Sequence, residues 1–283
     1  MELSADEIQR AVRAALAEDI GPGDVTTLAT VPASATMCAE LVAREPLLLA
    51  GLAFAMAAFR ELDHELVIAP HARDADSCGR GKTLLRVNGP ARAILTAERV
   101  ALNFVQRLSG IATLTAQFVE QVKGTKAKIL DTRKTTPGWR RFEKYAVHCG
   151  GGTNHRVGLF DLVLIKDNHL AALRHEQPNA IAAAVQRARA AYPELKVEVE
   201  ADTLEQVRQA VEARADIILL DNMSLPDLRA AVALVGESAQ TEASGGVTLQ
   251  TVRAIAGTGV NFISVGAITH SARAVDIALD FNH

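Results

Sequence analysis

The chain has 283 residues, 49% of them hydrophobic and 22% charged, the composition of a folded globular protein with a sizeable core rather than of a disordered one. Its formal net charge of −3 argues against a general binder of nucleic acid, and no apolar run reaches the roughly 18 residues that a bilayer span needs. The N-terminal stretch MELSADEIQRAV carries acids and lacks the apolar core of a secretory signal. The three cysteines, Cys38, Cys78 and Cys149, are odd in number with no CxxC pairing. Reduced thiols in a cytoplasm are therefore expected. Cys149 could be a nucleophile, but it reads better as a small buried thiol.

In chain order, Ser4 and Glu7 form a capping box, and Ile8, Val12, Leu16 and Ile20 recur at helical spacing, so a first helix is expected to end near Gly21 to Gly23. Residues 25–88 mix short β-like runs, AELVARE and ELVIAP, with one Ala-rich helix over 51–62. Turn punctuation falls at CGRGK and NGP, giving the texture of a small α+β domain. Thr96 reads as the cap of a long helix whose Val100, Phe104, Leu108, Ile111, Phe118 and Val122 share a face. Ser109 and Gly110 suggest a kink or break in it, with a domain boundary near residue 110.

After Lys123 strands and helices alternate. The candidate strands are KILDTR, DLVLIK, KVEVE, DIILLD, QTEASG and FISVG, and amphipathic helices such as AIAAAVQRARAAY and TLEQVRQAVEAR lie between them. The apolar runs end at Lys134, Lys166, Glu200, Asp221, Gly245 and Gly266, at intervals of 21 to 34 residues. Six such ends argue for an α/β barrel, whose site lies at the C-terminal strand ends, over a doubly wound sheet. No GxGxxG follows a strand, which counts against a dinucleotide-binding domain.

Residues 123–156 hold nine Lys or Arg against two acids, a local +7 in a chain whose total is −3. Such clustering focuses potential on an anion, so carboxylates or phosphates are the expected ligands. Arg133 and Lys134 leave a strand end and would clamp an anion, although a solvated basic turn has the same appearance; Arg156 and Lys166 tip the balance to a site. CGGGTNHR could form an anion-binding nest of backbone N–H groups or simply a tight turn. His155 is a candidate donor to a carboxylate, ahead of His148 and His169. Glu200 and Asp221, on successive strand ends, suit Mg²⁺ or a developing positive charge. Ser244, Gly245, Gly246 and Gly266 suit a phosphate, while Thr248 caps the helix that follows. Arg140, Arg141 and Lys144 are expected on an intervening helix as solvated or interface charges.

The strings DTRKTTPG, EKYAV, CGGG with NHR, LIKDNH, EVE, LLDN, SGGV and FISVGA, preceded by EDIGPGDVTT and ERVALNFVQRLSGIAT, resemble the quinolinate phosphoribosyltransferase family, also called carboxylating nicotinate-nucleotide pyrophosphorylase, in order over nearly the whole chain. The resemblance implies an α/β fold: an N-terminal α/β sandwich domain (residues 1–110, joined by the tail 272–283) and an incomplete, open α/β barrel (111–271). It implies transfer of a phosphoribosyl group from phosphoribosyl pyrophosphate to quinolinate with decarboxylation, giving nicotinate mononucleotide, pyrophosphate and CO2. By the same resemblance Arg133, His155, Arg156 and Lys166 line the quinolinate pocket, Thr132 and Val265 belong to the substrate-binding set, and Lys134 lies near both substrates. Glu200 and Asp221 face the ribose and Mg²⁺, directly or through water and the donor, and with Lys134 form the catalytic set. Ser244, Gly245 and Gly246 with Gly266 and Ala267 take the 5′-phosphate end. Arg99 is implied to cross a homodimer interface into the neighbouring site. Trp139 and His148 stand where family members vary. The competing readings are a class I aldolase with Lys166 as Schiff base, a relative that accepts nicotinate instead, or one tied to molybdenum metabolism. A nucleic-acid patch is a further reading, with Trp139, Phe142 and Tyr145 as interleaved aromatics.

Overall fold

A computed structural model describes residues 1–282. The elements run in chain order α1 (Ala5–Ile20), α2 (Val25–Thr30), β1 (Thr36–Ala43), β2 (Leu47–Leu48), α3 (Leu52–Leu62), β3 (Val67–Pro70), β4 (Ser77–Cys78), β5 (Thr83–Pro90) and α4 (Ala91–Val122). They continue with β6 (Lys128–Leu130), α5 (Arg140–Cys149), β7 (Val163–Ile165), α6 (Asp167–Ala172), α7 (Ala180–Ala191), β8 (Val197–Ala201), α8 (Leu204–Glu212) and β9 (Ile217–Asp221). The last are α9 (Leu225–Val235), β10 (Gln240–Ser244), α10 (Val252–Ala256), β11 (Phe262–Ser264), α11 (Ala267–His270) and β12 (Ile277–Asn282). Two compact units emerge: Met1–Ala116 with Arg141–Gly151 and Ala272–His283, and Gln117–Arg140 with Gly152–Ser271.

The first unit is built on an antiparallel sheet in the order β12-β1-β5-β3. The tail strand β12 lies along β1, with Leu279 opposite Leu41. Glu45 fixes the approach to that strand by accepting from the Asp276 amide (2.8 Å) and from Arg273 (2.7 Å). The capping box forms as expected: the Ser4 hydroxyl accepts from the Glu7 amide at 3.2 Å and Glu7 accepts from the Ser4 amide at 2.9 Å, while Val12 and Leu16 are buried. The NGP string, expected as a turn, is instead the end of β5, with Asn88 opposite Cys38 and Gly89 opposite Met37. Gly89 has φ +147°, and a Cβ there would lie 2.8 Å from Leu66, so the glycine permits a close approach within a strand.

Helix α4 likewise corrects the sequence reading. It starts at Ala91 and runs 32 residues without a break. The Thr96 hydroxyl does not cap it but donates to Asp24, which caps α2 through the Thr27 amide. Ser109 bonds the backbone of Ala50 on both its N–H and C=O, and a Cβ on Gly110 would lie 2.0 Å from the Arg273 carbonyl oxygen. Both residues serve contact across the helix rather than a kink in it.

Residues 141–151, read from the sequence as part of the barrel, pack into this unit. Arg141 bonds Glu7 (2.9 Å), Arg107 bonds the buried Glu143 (2.8 Å), Tyr145 donates to Asp74 (2.7 Å), and Phe142 meets the Phe54 ring edge-on at 5.1 Å. Lys144, expected as a solvated or interface charge, is fully buried. Cys149 is unpaired, and burial first, with the Asp74 charge second, pushes its thiol up to about 11, which keeps it protonated and unreactive at neutral pH.

The second unit is a parallel sheet in the order β6-β11-β10-β9-β8-β7. This is the strand order of an α/β barrel, with the first strand beside the last, but β6 and β7 do not pair and the barrel stays open. A single parallel bridge, Leu130 to Thr153, lies along the free edge of β6. Ile217 to Leu220 of β9 are all buried, as expected for a parallel strand covered on both faces.

Replacing Gly110 by alanine forces a methyl against backbone. The expected loss is about 2–3 kcal/mol of unfolding free energy in urea. A change within experimental error would contradict the close approach.

Candidate active site

Level residues of neighbouring parallel strands project from the same face, and the pattern repeats every second residue. Leu164 is level with Glu198, Glu200 with Leu219, Ser244 with Asp221, and Glu242 with both Leu219 and Phe262. One face of the sheet therefore carries Glu198 and Glu200, Leu219 and Asp221, Glu242 and Ser244, Phe262 and Ser264. Lys166 and Gly266 continue the alternation beyond β7 and β11. Lys166, Glu200, Asp221, Ser244 and Gly266 thus lie at the C-terminal ends of their strands on this one face, and Glu198, Glu242 and Ser264, each two residues earlier on its own strand, are buried.

Contacts within the rim bear out this arithmetic. Lys166 Nζ is 3.3 Å from Glu200 Oε2, and Asp221 accepts from the Asn222 side chain at 2.7 Å. Gly245, at φ +98°, faces Asn222 so closely that a Cβ would sit 2.1 Å from its Oδ1, so both backbone angle and space demand glycine. A Cβ on Gly266 would lie 3.1 Å from His270 Nε2 and 3.3 Å from Lys134 Cδ, which shows Lys134 and His270 converging there. The Thr132 hydroxyl accepts from the Lys134 amide (3.0 Å), and Thr269 donates to the Lys134 carbonyl (2.7 Å), holding Lys134 from both sides. Val265 is buried and its amide donates to Leu130, while Ala267 opens α11.

A second group stands over the free edge of β6. Asp131 is fully buried, and its carboxylate accepts from the Asn154 side chain (2.7 Å) and the His155 amide (2.8 Å), pinning the segment that carries Arg156. Burial first and the nearby Arg133 second lower the Arg156 pKa, against the pull of Glu198 and Asp161. Arg133 Nε is buried with no hydrogen-bond partner in the protein. Two arginines that feel each other's charge, one with a buried unpaired N–H, have the donor chemistry to accept a carboxylate.

His155 is placed differently from expectation. Its Nδ1 accepts from the Arg156 amide at 2.7 Å, and its Nε2 lies 3.0 Å from Glu198 and 3.5 Å from Glu242. Both ring nitrogens are thus turned to protein groups. His169 accepts from the Lys166 amide, and His148 is exposed on α5 in the first unit. Of the two expectations for the CGGG run the structure has the tight turn: the Gly150 and Gly151 amides donate to Ala146 and His148, and the Thr153 amide donates to Ile129. A Cβ on Gly150 would sit 2.6 Å from the Ala112 carbonyl oxygen, so this glycine allows close packing on α4. Thr248 accepts from the Thr251 amide at 3.3 Å ahead of α10, close to the expected cap. Arg99, in the first unit, is exposed on α4.

Asp131, Asn154, Glu198, Glu242, Thr269 and His270 were not singled out in the sequence. Counting back two residues from Glu200 and Ser244 would have put Glu198 and Glu242 on the inward face.

The family model for the quinolinate phosphoribosyl transferase N-terminal domain matches residues 24–109, and that for the C-terminal domain matches 111–280. The chain belongs to the quinolinate phosphoribosyl transferase family. It is 45% identical to a probable carboxylating nicotinate-nucleotide pyrophosphorylase of Bacillus subtilis over 93% of this chain and 89% of the relative. It is also 45% identical to the Mycobacterium leprae carboxylating nicotinate-nucleotide pyrophosphorylase over 97% of each. The nicotinate-nucleotide pyrophosphorylase structure from Francisella tularensis superposes with a TM-score of 0.93 at 42% identity, covering 99% of this chain and 98% of that one. Family membership accounts for the paired domains and the open barrel together.

Truncating Asp131 to alanine leaves the Asn154 and His155 donors without their acceptor. The expected cost is about 1–3 kcal/mol of stability. Faster hydrogen exchange at the His155 amide should accompany it, and unaltered exchange would contradict the pinning role.

Proposed function

We propose that the protein transfers the phosphoribosyl group of phosphoribosyl pyrophosphate to quinolinate with decarboxylation, releasing nicotinate mononucleotide, pyrophosphate and CO2 in the synthesis of NAD. The relatives named as carboxylating nicotinate-nucleotide pyrophosphorylases, alike over nearly their whole length, support the reaction class. The observation that carries it to this site is the buried, unpartnered Arg133 Nε beside Arg156. Together with Lys166 these cations suit a dicarboxylate, whose planar groups arginine can grip in two-pronged fashion. Gly245 and Gly266 leave room for backbone to approach the 5′-phosphate end, with Ser244, Gly246, Val265 and Ala267 around it.

On this reading the chemistry asks mainly for charge stabilisation and alignment. As pyrophosphate departs, the anomeric carbon of the ribose gains positive charge, which Glu200 and Asp221 stabilise from the rim, and the pyridine nitrogen attacks. Lys134 would steady the donor. The ring, once cationic, stabilises the electron pair left at C2 as CO2 departs, and C2 then takes a proton from water to give nicotinate mononucleotide. Little proton transfer is required before that point, so positioning carries much of the rate.

Glu200 and Asp221 would hold Mg²⁺. They offer hard oxygens on one face, and among the described residues no third His, Cys, Asp or Glu is grouped with them, which suits an ion sharing water and phosphate oxygens. Bound there, Mg²⁺ supplies neutralisation of the pyrophosphate leaving group. We also infer a homodimer in which Arg99, with an exposed side chain, completes the partner's pocket. A cytoplasmic setting suits the three free cysteines, and no helix among the described residues is long and apolar enough to cross a membrane.

Arg133→Ala and Lys166→Ala should each lower kcat/KM for quinolinate on the order of a hundredfold, in an assay of quinolinate-dependent pyrophosphate release with Mg²⁺. Near-normal turnover and affinity in both would refute the pocket assignment. Arg99→Ala and Lys134→Ala should each be nearly inactive alone. Mixed and allowed to exchange subunits, they should recover about a quarter of wild-type activity, because half of the dimers are mixed and carry one intact site. No recovery despite proven exchange would place Arg99 outside the partner's site.

A further inference from the structure

Past the bridge between Leu130 and Thr153, the free edge of β6 is held by side chains instead of by a strand. Asp131 takes the first step, gripping the Asn154 side chain and the His155 amide. Arg140 takes the next. Its Nη2 donates to the Arg133 carbonyl (3.4 Å), its Nη1 to the Val157 carbonyl (3.2 Å) and its Nε to the Thr135 hydroxyl (3.1 Å). One guanidinium thus spans two stretches of main chain, one carrying Arg133 and the other following Arg156. The sequence suggested a solvated or interface charge at this position. The side chain is instead half-buried, and each of its nitrogens donates to a neutral oxygen of the protein. Arg133 differs, since its Nε is buried and unpartnered.

Each anchor is also fixed within its own segment. The Thr135 amide donates to the Arg133 carbonyl at 3.0 Å. The Val157 and Gly158 amides donate to Asp161 at 2.7 and 2.9 Å, and Arg156 Nη1 donates to the Leu162 carbonyl at 3.3 Å. Arg140 links the two segments. The charges of Arg133 and Arg156 oppose each other, so electrostatics favours separation and a main-chain tie works against it. A charged donor on a planar fork suits that task, because its bonds to carbonyls are strong and their directions are fixed, which a single lysine ammonium does not offer.

We propose that Arg140 is a positioning residue for the dicarboxylate pocket: by tying the Arg133 carbonyl to the Val157 carbonyl it sets the spacing at which Arg133 and Arg156 meet the substrate's carboxylates. The identity of that substrate rests on the function proposed above; the tie between the two segments does not. Lys134 has its own holders, the Thr132 and Thr269 hydroxyls, so the effect falls on the dicarboxylate rather than on the phosphorylated donor.

Three proteins test it: wild type, Arg140→Ala and Arg140→Lys, the last keeping the charge without the fork. Truncation should raise the quinolinate KM by about tenfold and leave kcat and the phosphoribosyl pyrophosphate KM within about twofold of wild type. The Lys variant should be impaired nearly as much, and it carries the test if the Ala variant does not fold. A Lys variant equal to wild type, an unchanged quinolinate KM, or an equal rise in the phosphoribosyl pyrophosphate KM would overturn the proposal. Amide hydrogen exchange without substrate gives a readout independent of turnover. In either variant exchange at Thr135 and Val157 should quicken together, while the His155 amide, held by Asp131, exchanges as in wild type. Unchanged exchange at Thr135 and Val157, or acceleration spread evenly over the chain, would overturn the tie. A wild type inert toward quinolinate would sink the functional reading while exchange still decided whether Arg140 joins the two segments.

Discussion

The level register of parallel strands is the constraint on which the site depends. Because Glu200 stands level with Leu219 and Ser244 with Asp221, residues far apart in sequence share one rim without any loop having to gather them. Register slips by one residue would turn every one of these side chains outward, and the continuous burial of Ile217 to Leu220 makes such a slip costly. The open seam between β6 and β7 adds a second element. There the chain returns through Thr153 to bridge Leu130, and the buried Asp131 holds His155 and Asn154 in place.

Charge is layered on this frame. Lys166 and Glu200 pair at the rim, Arg133 and Arg156 stand close together with one buried N–H unspent, and the acids Glu198 and Glu242 lie underneath. The pull of Glu198 on Arg156 partly offsets the repulsion between Arg156 and Arg133. The +7 segment is consequently not one patch. Arg141 pairs with Glu7 and Lys144 is buried in the first unit, while Arg133 and Arg156 belong to the second.

Much of this was legible in the sequence, and the exceptions share a cause. The strand ends, the alternation into parallel units and the capping box at Ser4 rest on local periodicity and short-range hydrogen bonds, which a sequence displays directly. Gly110 and Gly89 read as kink and turn, and the CGGG run left nest and tight turn open, of which the structure has the turn. A glycine required by a distant neighbour, such as Gly110 by the Arg273 carbonyl, looks the same in sequence as one required by a turn. Lys144 reads as a solvated or interface charge because burial of a charge depends on a partner set elsewhere. His155 was legible as a site-region residue but not in its orientation, since the acids that face it sit on β8 and β10.

The most direct measurement of the central claim is product stoichiometry with purified protein, phosphoribosyl pyrophosphate and Mg²⁺. A rim built for a dicarboxylate should release CO2 and pyrophosphate mole for mole from quinolinate and show little turnover of nicotinate. Efficient use of nicotinate without CO2 release, or no pyrophosphate release from quinolinate at all, would contradict it.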